Sequence, residues 1–183
     1  MAICSFPPAL VPCMKSRTQE PHKFDAPREW TMSMRQRSRR SWQPFIDFVK
    51  VLRGELPEPE VIRLLNTYSA DRGRQIGEEQ ARDWSDTSFA AFVNQYRPPR
   101  YSSSLTHEVV EDTDKAFGLR VTECLTAEVF RAEGLGGEIG HAAVCNMDYY
   151  WPTGFNPSFK MERTKTLMRG DAECNHRYLN TAE

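Results

Sequence analysis

Residues 105–122 read LTHEVVEDTDKAFGLRVT, and this stretch decides the fold. Runs rich in β-branched and apolar residues flank the polar Asp112-Thr113-Asp114-Lys115, whose short side chains favour a turn. The pattern predicts two strands, Leu105–Glu111 and Phe117–Thr122, joined as a hairpin. Upstream the period is different. Trp42, Phe45, Ile46, Phe48, Val49 and Leu52 recur at three- and four-residue spacings, which marks a helix with one buried stripe that Gly54 and Pro57 end. Pro59 opens a second helix carrying Val61, Ile62, Leu64, Leu65, Tyr68 and Ile76. Ser85 or Asp86 can cap a third, with Phe89, Phe92, Val93 and Tyr96 on one side and Pro98-Pro99 as its stop.

Downstream of the hairpin the texture stays mixed. A short helix is expected from Glu123 or Thr126 through Phe130, broken at Gly134, and another from Glu138 to about Tyr149. Ser158 to Met168 alternates as a strand does, turns at Gly170-Asp171, and leads into a last strand from Glu173 to Leu179. The expected class is α+β: N-terminal helices packed with an antiparallel sheet, and a small-molecule pocket between sheet and helices.

With 183 residues the chain suits one domain, expected over 29–183, preceded by an irregular N-terminal arm at 1–28 whose prolines and charges show little apolar periodicity. Lys and Arg total 24 against 25 Asp and Glu, so nothing global attracts nucleic acid or an anionic membrane. The basic run Arg35, Arg37, Arg39, Arg40 has no alternating aromatics and reads as a solvated helix face. Apolar stretches fall far short of the roughly 20 residues that span a bilayer. Five cysteines without framework spacing suit a reducing compartment, so a cytoplasmic protein is expected; self-association stays open.

Reactive residues gather in the second half: Cys124 at a strand-to-helix junction, Cys145-x-x-Asp148 on a helix, Asn156-Pro157 in a loop, and Cys174-x-His176 on the last strand. Cys174 and His176 are two apart on a strand, so they share a face. A cysteine at a helix start gains from the oriented N–H groups, which lower a thiol pKa. Asp148, beside Tyr149, Tyr150 and Trp151, is costly to bury unpaired and should meet Arg163, Arg177 or a ligand amidine. Cys4 and Cys13, in the arm, carry no functional weight, and His141 reads as structural or exposed.

The same elements also carry a family pattern. Cys124-Leu125-Thr126-Ala127-Glu128-Val129-Phe130, Cys145-Asn146-Met147-Asp148, Asn156-Pro157, Arg163-Thr164-x-Thr166-Leu167-Met168-x-Gly170-Asp171 and Cys174-Asn175-His176-Arg177-Tyr178, in that order, resemble the L-2-amino-thiazoline-4-carboxylic acid hydrolase family from about Leu105 to Tyr178. The resemblance implies a hydrolase, or a related ring-opening or ring-closing enzyme, acting on a C–N bond of a cyclic amidine or thiazoline-like molecule. Such a reaction needs a nucleophile on the C=N carbon, a proton for the ring nitrogen and an acceptor for water's proton.

The catalytic candidates are Cys124 or Cys145 as nucleophile with Asp148 and His176 as acid and base. The substrate-binding candidates are Asn156, Arg163, Thr164, Asp171, Cys174 and Arg177. No cofactor is expected, with zinc held by cysteine, histidine and aspartate as the alternative, although no Cys-x-x-Cys or His-x-x-x-His pair is present. The competing readings are a non-catalytic small-molecule-binding domain, favoured by a pocket of Tyr149, Trp151, Phe155 and Phe159, and an isomerase or dehydratase on the same scaffold.

Overall fold

Ser33 starts the first helix by a reciprocal cap: its hydroxyl accepts the Gln36 N–H at 3.2 Å while the Gln36 side chain accepts the Ser33 N–H at 2.8 Å. A computed structural model describes residues 32–97 and 104–182. The arm expected at 1–28, with Cys4 and Cys13, lies outside the described residues.

Helix α1 (Met34–Glu55) begins well before the apolar stripe and runs through Pro44. Its basic face is tied down locally, with Arg35 on Glu128, and Arg39 and Lys50 both on Glu133. Helix α2 (Glu58–Asp83) has Pro59 in its first turn. Helix α3 (Phe89–Asn94) is capped by Ser88 rather than by Ser85 or Asp86, because Asp86 spends its carboxylate on the Ser88 N–H.

The predicted hairpin is present as β1 (Leu105–Asp112) and β2 (Ala116–Cys124), closed by Thr113, which bonds Ala116 through both its N–H and its hydroxyl. The sheet has the order β1-β2-β4-β3 with every neighbour antiparallel, where β3 is Phe159–Glu162 and β4 is Cys174–Asn180. The class is therefore α+β with an antiparallel sheet.

Three element assignments change. Cys124 itself caps α4 (Leu125–Ala132), its Sγ accepting the Ala127 N–H at 3.5 Å. The helix expected from Glu138 to Tyr149 is α5 (Glu138–Gly140), a π-helical turn over His141–Cys145, and α6 (Met147–Phe155). The π turn is closed by the Asn146 N–H on the His141 carbonyl at 2.8 Å, a local widening that is common beside functional sites.

The strand expected through Met168 stops at Glu162. Beyond it, the N–H groups of Thr164 and Lys165 go to Asn175 Oδ1 and that of Thr166 goes to Asp171 Oδ2, so side chains replace the β ladder. A 3₁₀ turn, Leu167–Arg169, follows, and Gly170 takes the left-handed conformation with φ 102°.

Helices α2 and α6 pack with their backbones in contact. A Cβ on Gly73 would run into Met147, one on Gly77 into Trp151 and Phe155, and one on Gly154 into Arg74. This close approach sets α6 against α2, and Phe155 of α6 packs on Phe92 and Phe159. One apolar cluster joins Ile46, Val49, Val61 and Leu65 to Phe130, Leu135 and Ala143; a second joins Phe92 and Phe155 to Phe117, Phe159 and Tyr178 on the sheet. Leu167 packs against both, and a cavity opens between them.

Candidate functional site

Between the two clusters lies a cavity of about 410 Å³. Trp42, Ala127, Val144 and Met168 come to its wall from the helical cluster, and Tyr96, Val121, Trp151 and Tyr178 from the sheet side. Into this largely apolar lining project Cys124, Cys145, Cys174, Asp148, Arg163, Thr166 and His176. Each of the four catalytic candidates, Cys124, Cys145, Asp148 and His176, therefore faces one space.

Arg163 organises the polar part. Its side chain is only 1% exposed, and Nη1 bonds Asp148 Oδ2 at 2.8 Å and His176 Nε2 at 3.1 Å. Nη2 donates to the Cys145 carbonyl at 2.8 Å and lies 3.4 Å from His141 Nε2. The guanidinium sits 5.0 Å over the Tyr149 ring, an added cation–π contact. Burial works against the cation, but the Asp148 carboxylate, with Cys145 and Tyr149, keeps its pKa above the ordinary arginine value. The sequence supplied three partners for Asp148, and the fold selects Arg163.

Arg163 has only donors, so the His176 Nε2 it contacts is an acceptor and the imidazole proton belongs on Nδ1. That Nδ1–H has no partner among the described residues, and neither does Arg163 Nε. Burial, with help from Arg163, pushes His176 down to about 4 against the pull of Asp148, so the ring is neutral near pH 7. His141, read from the sequence as structural or exposed, is 7% exposed and likewise lowered by burial to about 4.

The thiols do not behave as the helix-start argument expects. Cys124 accepts N–H groups at the start of α4, which favours its thiolate, yet burial outweighs them and its pKa is raised. Burial and then Asp148 push Cys145 up to about 12. Cys174 Sγ accepts the Leu167 N–H at 3.2 Å, and the Thr166 hydroxyl lies 3.7 Å from Cys174 Sγ and 4.0 Å from Cys145 Sγ. His176 makes its hydrogen bond with Arg163, not with a sulfur. Among the described residues no three histidine, cysteine, aspartate or glutamate side chains are placed to hold a metal ion, so side-chain placement lends the zinc alternative no support.

The remaining substrate-binding candidates divide. Arg163 and Cys174 line the cavity. Asn156 ends α6 and accepts the Ser158 N–H at 3.0 Å, holding a turn. Thr164 accepts from the Asn175 amide at 2.8 Å, and Asp171 holds the Thr166 N–H at 2.6 Å, so both brace the segment that carries Arg163. Arg177 follows His176 on β4 and therefore points to the other face, where it makes a bidentate pair with Glu111 at 2.6 and 2.9 Å. That location separates it from the cavity.

Phe155 and Phe159 are core, while Trp151 reaches the cavity wall. Trp42, Tyr96 and Thr166 also form the wall, though their sequence does not mark them for it. The first two look like ordinary members of helix stripes, and nothing local distinguishes them.

These features define a class, an α+β domain with an internal pocket whose apolar wall carries three thiols and one buried, ion-paired arginine. The chain belongs to the L-2-amino-thiazoline-4-carboxylic acid hydrolase family, whose model matches residues 37–178. No curated protein sequence matches it. Among solved structures it is similar to a trafficking protein particle complex subunit 3 from Naegleria fowleri, crystallised covalently bound to palmitic acid; the TM-score is 0.51 at 10% identity, over 79% of this chain and 95% of that one. At that identity the likeness concerns the fold alone. Among the described residues no helix is long and apolar enough to cross a membrane.

Proposed function

We propose that this protein is a hydrolase acting on the C–N bond of a small cyclic amidine or thiazoline-like molecule bound in the cavity. Family membership supports the reaction class. The observation that carries the substrate class is the Asp148–Arg163–His176 group set into an otherwise apolar wall, with 30% of the Asp148 side chain still exposed. Arg163 takes Asp148 Oδ2, so an amidine N–H would find an acceptor in the partly exposed Asp148 carboxylate and its ring an apolar surround.

Cys124 is the better nucleophile in this reading. It receives helix N–H groups and Asp148 is the smallest of the influences raising it, whereas Asp148 is second only to burial in holding Cys145 protonated. The thiol adds across C=N: sulfur takes the carbon and the thiol proton passes to the ring nitrogen. The ring C–N bond then breaks with its electron pair going to the ring nitrogen, which takes a proton from the exocyclic amino group as that amino nitrogen forms C=N to the same carbon. Water adds to this C=N with one proton going to its nitrogen, and the bond from carbon to the Cys124 sulfur breaks as C=O forms, the hydroxyl proton returning to sulfur as the thiol. His176, neutral and protonated on Nδ1, acts as a hydrogen-bond donor to the developing charge rather than as the general base expected from sequence.

Turnover of 2-amino-thiazoline-4-carboxylate by Cys124→Ser and Cys145→Ser tests this. Activity should be lost in the first and kept in the second, with a substrate-mass adduct trapped on Cys124 in the wild type; full activity in both variants would exclude cysteine catalysis. Unchanged turnover in EDTA is also expected.

One observation favours a second reading, a binding domain that does not turn its ligand over: His176 is engaged by Arg163 and the thiols of Cys124 and Cys145 are held protonated. The similar trafficking subunit holds palmitic acid covalently. Under this reading purified protein would carry a ligand or acyl adduct visible by mass spectrometry and would lack turnover.

A further inference from the structure

The phenolic oxygens of Tyr96 and Tyr178 are 2.6 Å apart. Tyr96 follows α3 and Tyr178 sits in the centre of β4, paired with Phe117 on one side and Met161 on the other. Their rings stack at 5.2 Å with 23° between planes, the residues are 8% and 1% exposed, and both line the cavity. Neither hydroxyl has a second partner among the described residues.

Two hydroxyls bring two protons, and one O···O contact can use only one of them. The acceptor of the pair must aim its own proton elsewhere, and a buried O–H without an acceptor is destabilising. Burial raises the pKa of both phenols, so neither sheds its proton near neutrality. His176, two residues from Tyr178 on the same strand face, adds an Nδ1–H that also lacks a partner. This part of the wall thus holds hydrogen-bond donors in excess of acceptors.

The geometry points to the Tyr96–Tyr178 pair as a neutral hydrogen-bond donor that recognises a carbonyl, amide or imine acceptor on the ligand. Because the donating hydroxyl is itself hydrogen-bonded by its neighbour, its proton is more strongly polarised than that of an isolated tyrosine. Two elements distant in sequence hold the pair, so the donor is oriented before the ligand arrives. The inference rests on the cavity being the ligand site and is independent of which cysteine reacts. It selects against ligands that present an amine or ammonium group to this wall.

Two probes of matched shape test it: acetophenone, which has a C=O, and α-methylstyrene, which has C=CH₂ in its place. In Tyr96→Phe/Tyr178→Phe, acetophenone should bind the full chain roughly three- to tenfold more weakly, the worth of one neutral hydrogen bond, while α-methylstyrene binding stays unchanged and shows that the cavity is intact. The single variants Tyr96→Phe and Tyr178→Phe each keep one hydroxyl and should fall between. The infrared C=O band of bound acetophenone should lie at lower wavenumber in the wild type than in the double variant. An unchanged band, or equal weakening of both probes, overturns the donor role and leaves the hydrolase proposal standing on the Cys124→Ser result. If neither probe binds the wild type, the donor role falls, and the hydrolase proposal is judged by the Cys124→Ser result.

Discussion

Arg163 and Asp148 form an ion pair at 2.8 Å in which the arginine side chain is 1% exposed and the aspartate 30%. Removing the carboxylate leaves a buried cation held only by neutral partners. Asp148→Ala is therefore expected to lower the free energy of unfolding by about 3 kcal/mol, while Arg163→Met/Asp148→Ala costs less than the sum of its single changes. Urea denaturation of the four proteins checks this; additive losses would mean the pair is not coupled.

Stability should fall with acid below pH 6.5. In the unfolded chain His141 and His176 titrate near their ordinary value of 6.5, whereas in the folded protein burial depresses both to about 4. Between those limits the unfolded chain binds protons that the folded one refuses, so the stability present above pH 6.5 is lost as pH falls toward 4, by about 3 kcal/mol for each ring. Denaturation midpoints from pH 7.5 to 4 measure the slope, and His176→Gln should flatten it.

Thiol chemistry should be slow in the free protein. Burial raises the Cys124 thiol and takes Cys145 to about 12, so alkylation by iodoacetamide at pH 7.5 should be slower at both than at an exposed peptide cysteine. The Cys124 rate should still be rising above pH 9. Peptide mass mapping over time separates the sites, and rapid neutral-pH alkylation of Cys145 would contradict its environment.

Glycine-to-alanine changes should have opposite signs at two helical positions. A Cβ on Gly77 collides with the α6 backbone at Trp151 and Phe155, so Gly77→Ala should destabilise by about 1–3 kcal/mol despite alanine's better helix propensity. Nothing lies within 4 Å of a Cβ on Gly54, inside α1, and Gly54→Ala should stabilise by about 0.5–1 kcal/mol. Thermal melts of the two variants give the comparison.

Helix periodicity over 42–52, the Asp112–Lys115 turn and the parity of Cys174 and His176 could all be read because each depends on residues near one another in the chain. The same local rules overran at Ser158–Met168, where alternation continued but Asn175 and Asp171 captured the backbone N–H groups. They also missed the π turn at His141–Cys145, which a straight helical pattern does not reveal. Arg177 looked equivalent to Arg163 because both are arginines expected on neighbouring strands. A single step along β4 sends Arg177 to the face of Glu111.

By itself, then, the sequence determined the α+β class, the order of the main helices and strands and the family, since propensity, period and motif spacing are properties of the chain. Only the tertiary structure decided which charges meet, which thiols stay protonated, and that Tyr96 and Tyr178 share one hydrogen bond across 82 positions. Those outcomes depend on burial and on distances between remote segments, which the helical layer, the close packing of α2 with α6 and the strand order β1-β2-β4-β3 bring about together.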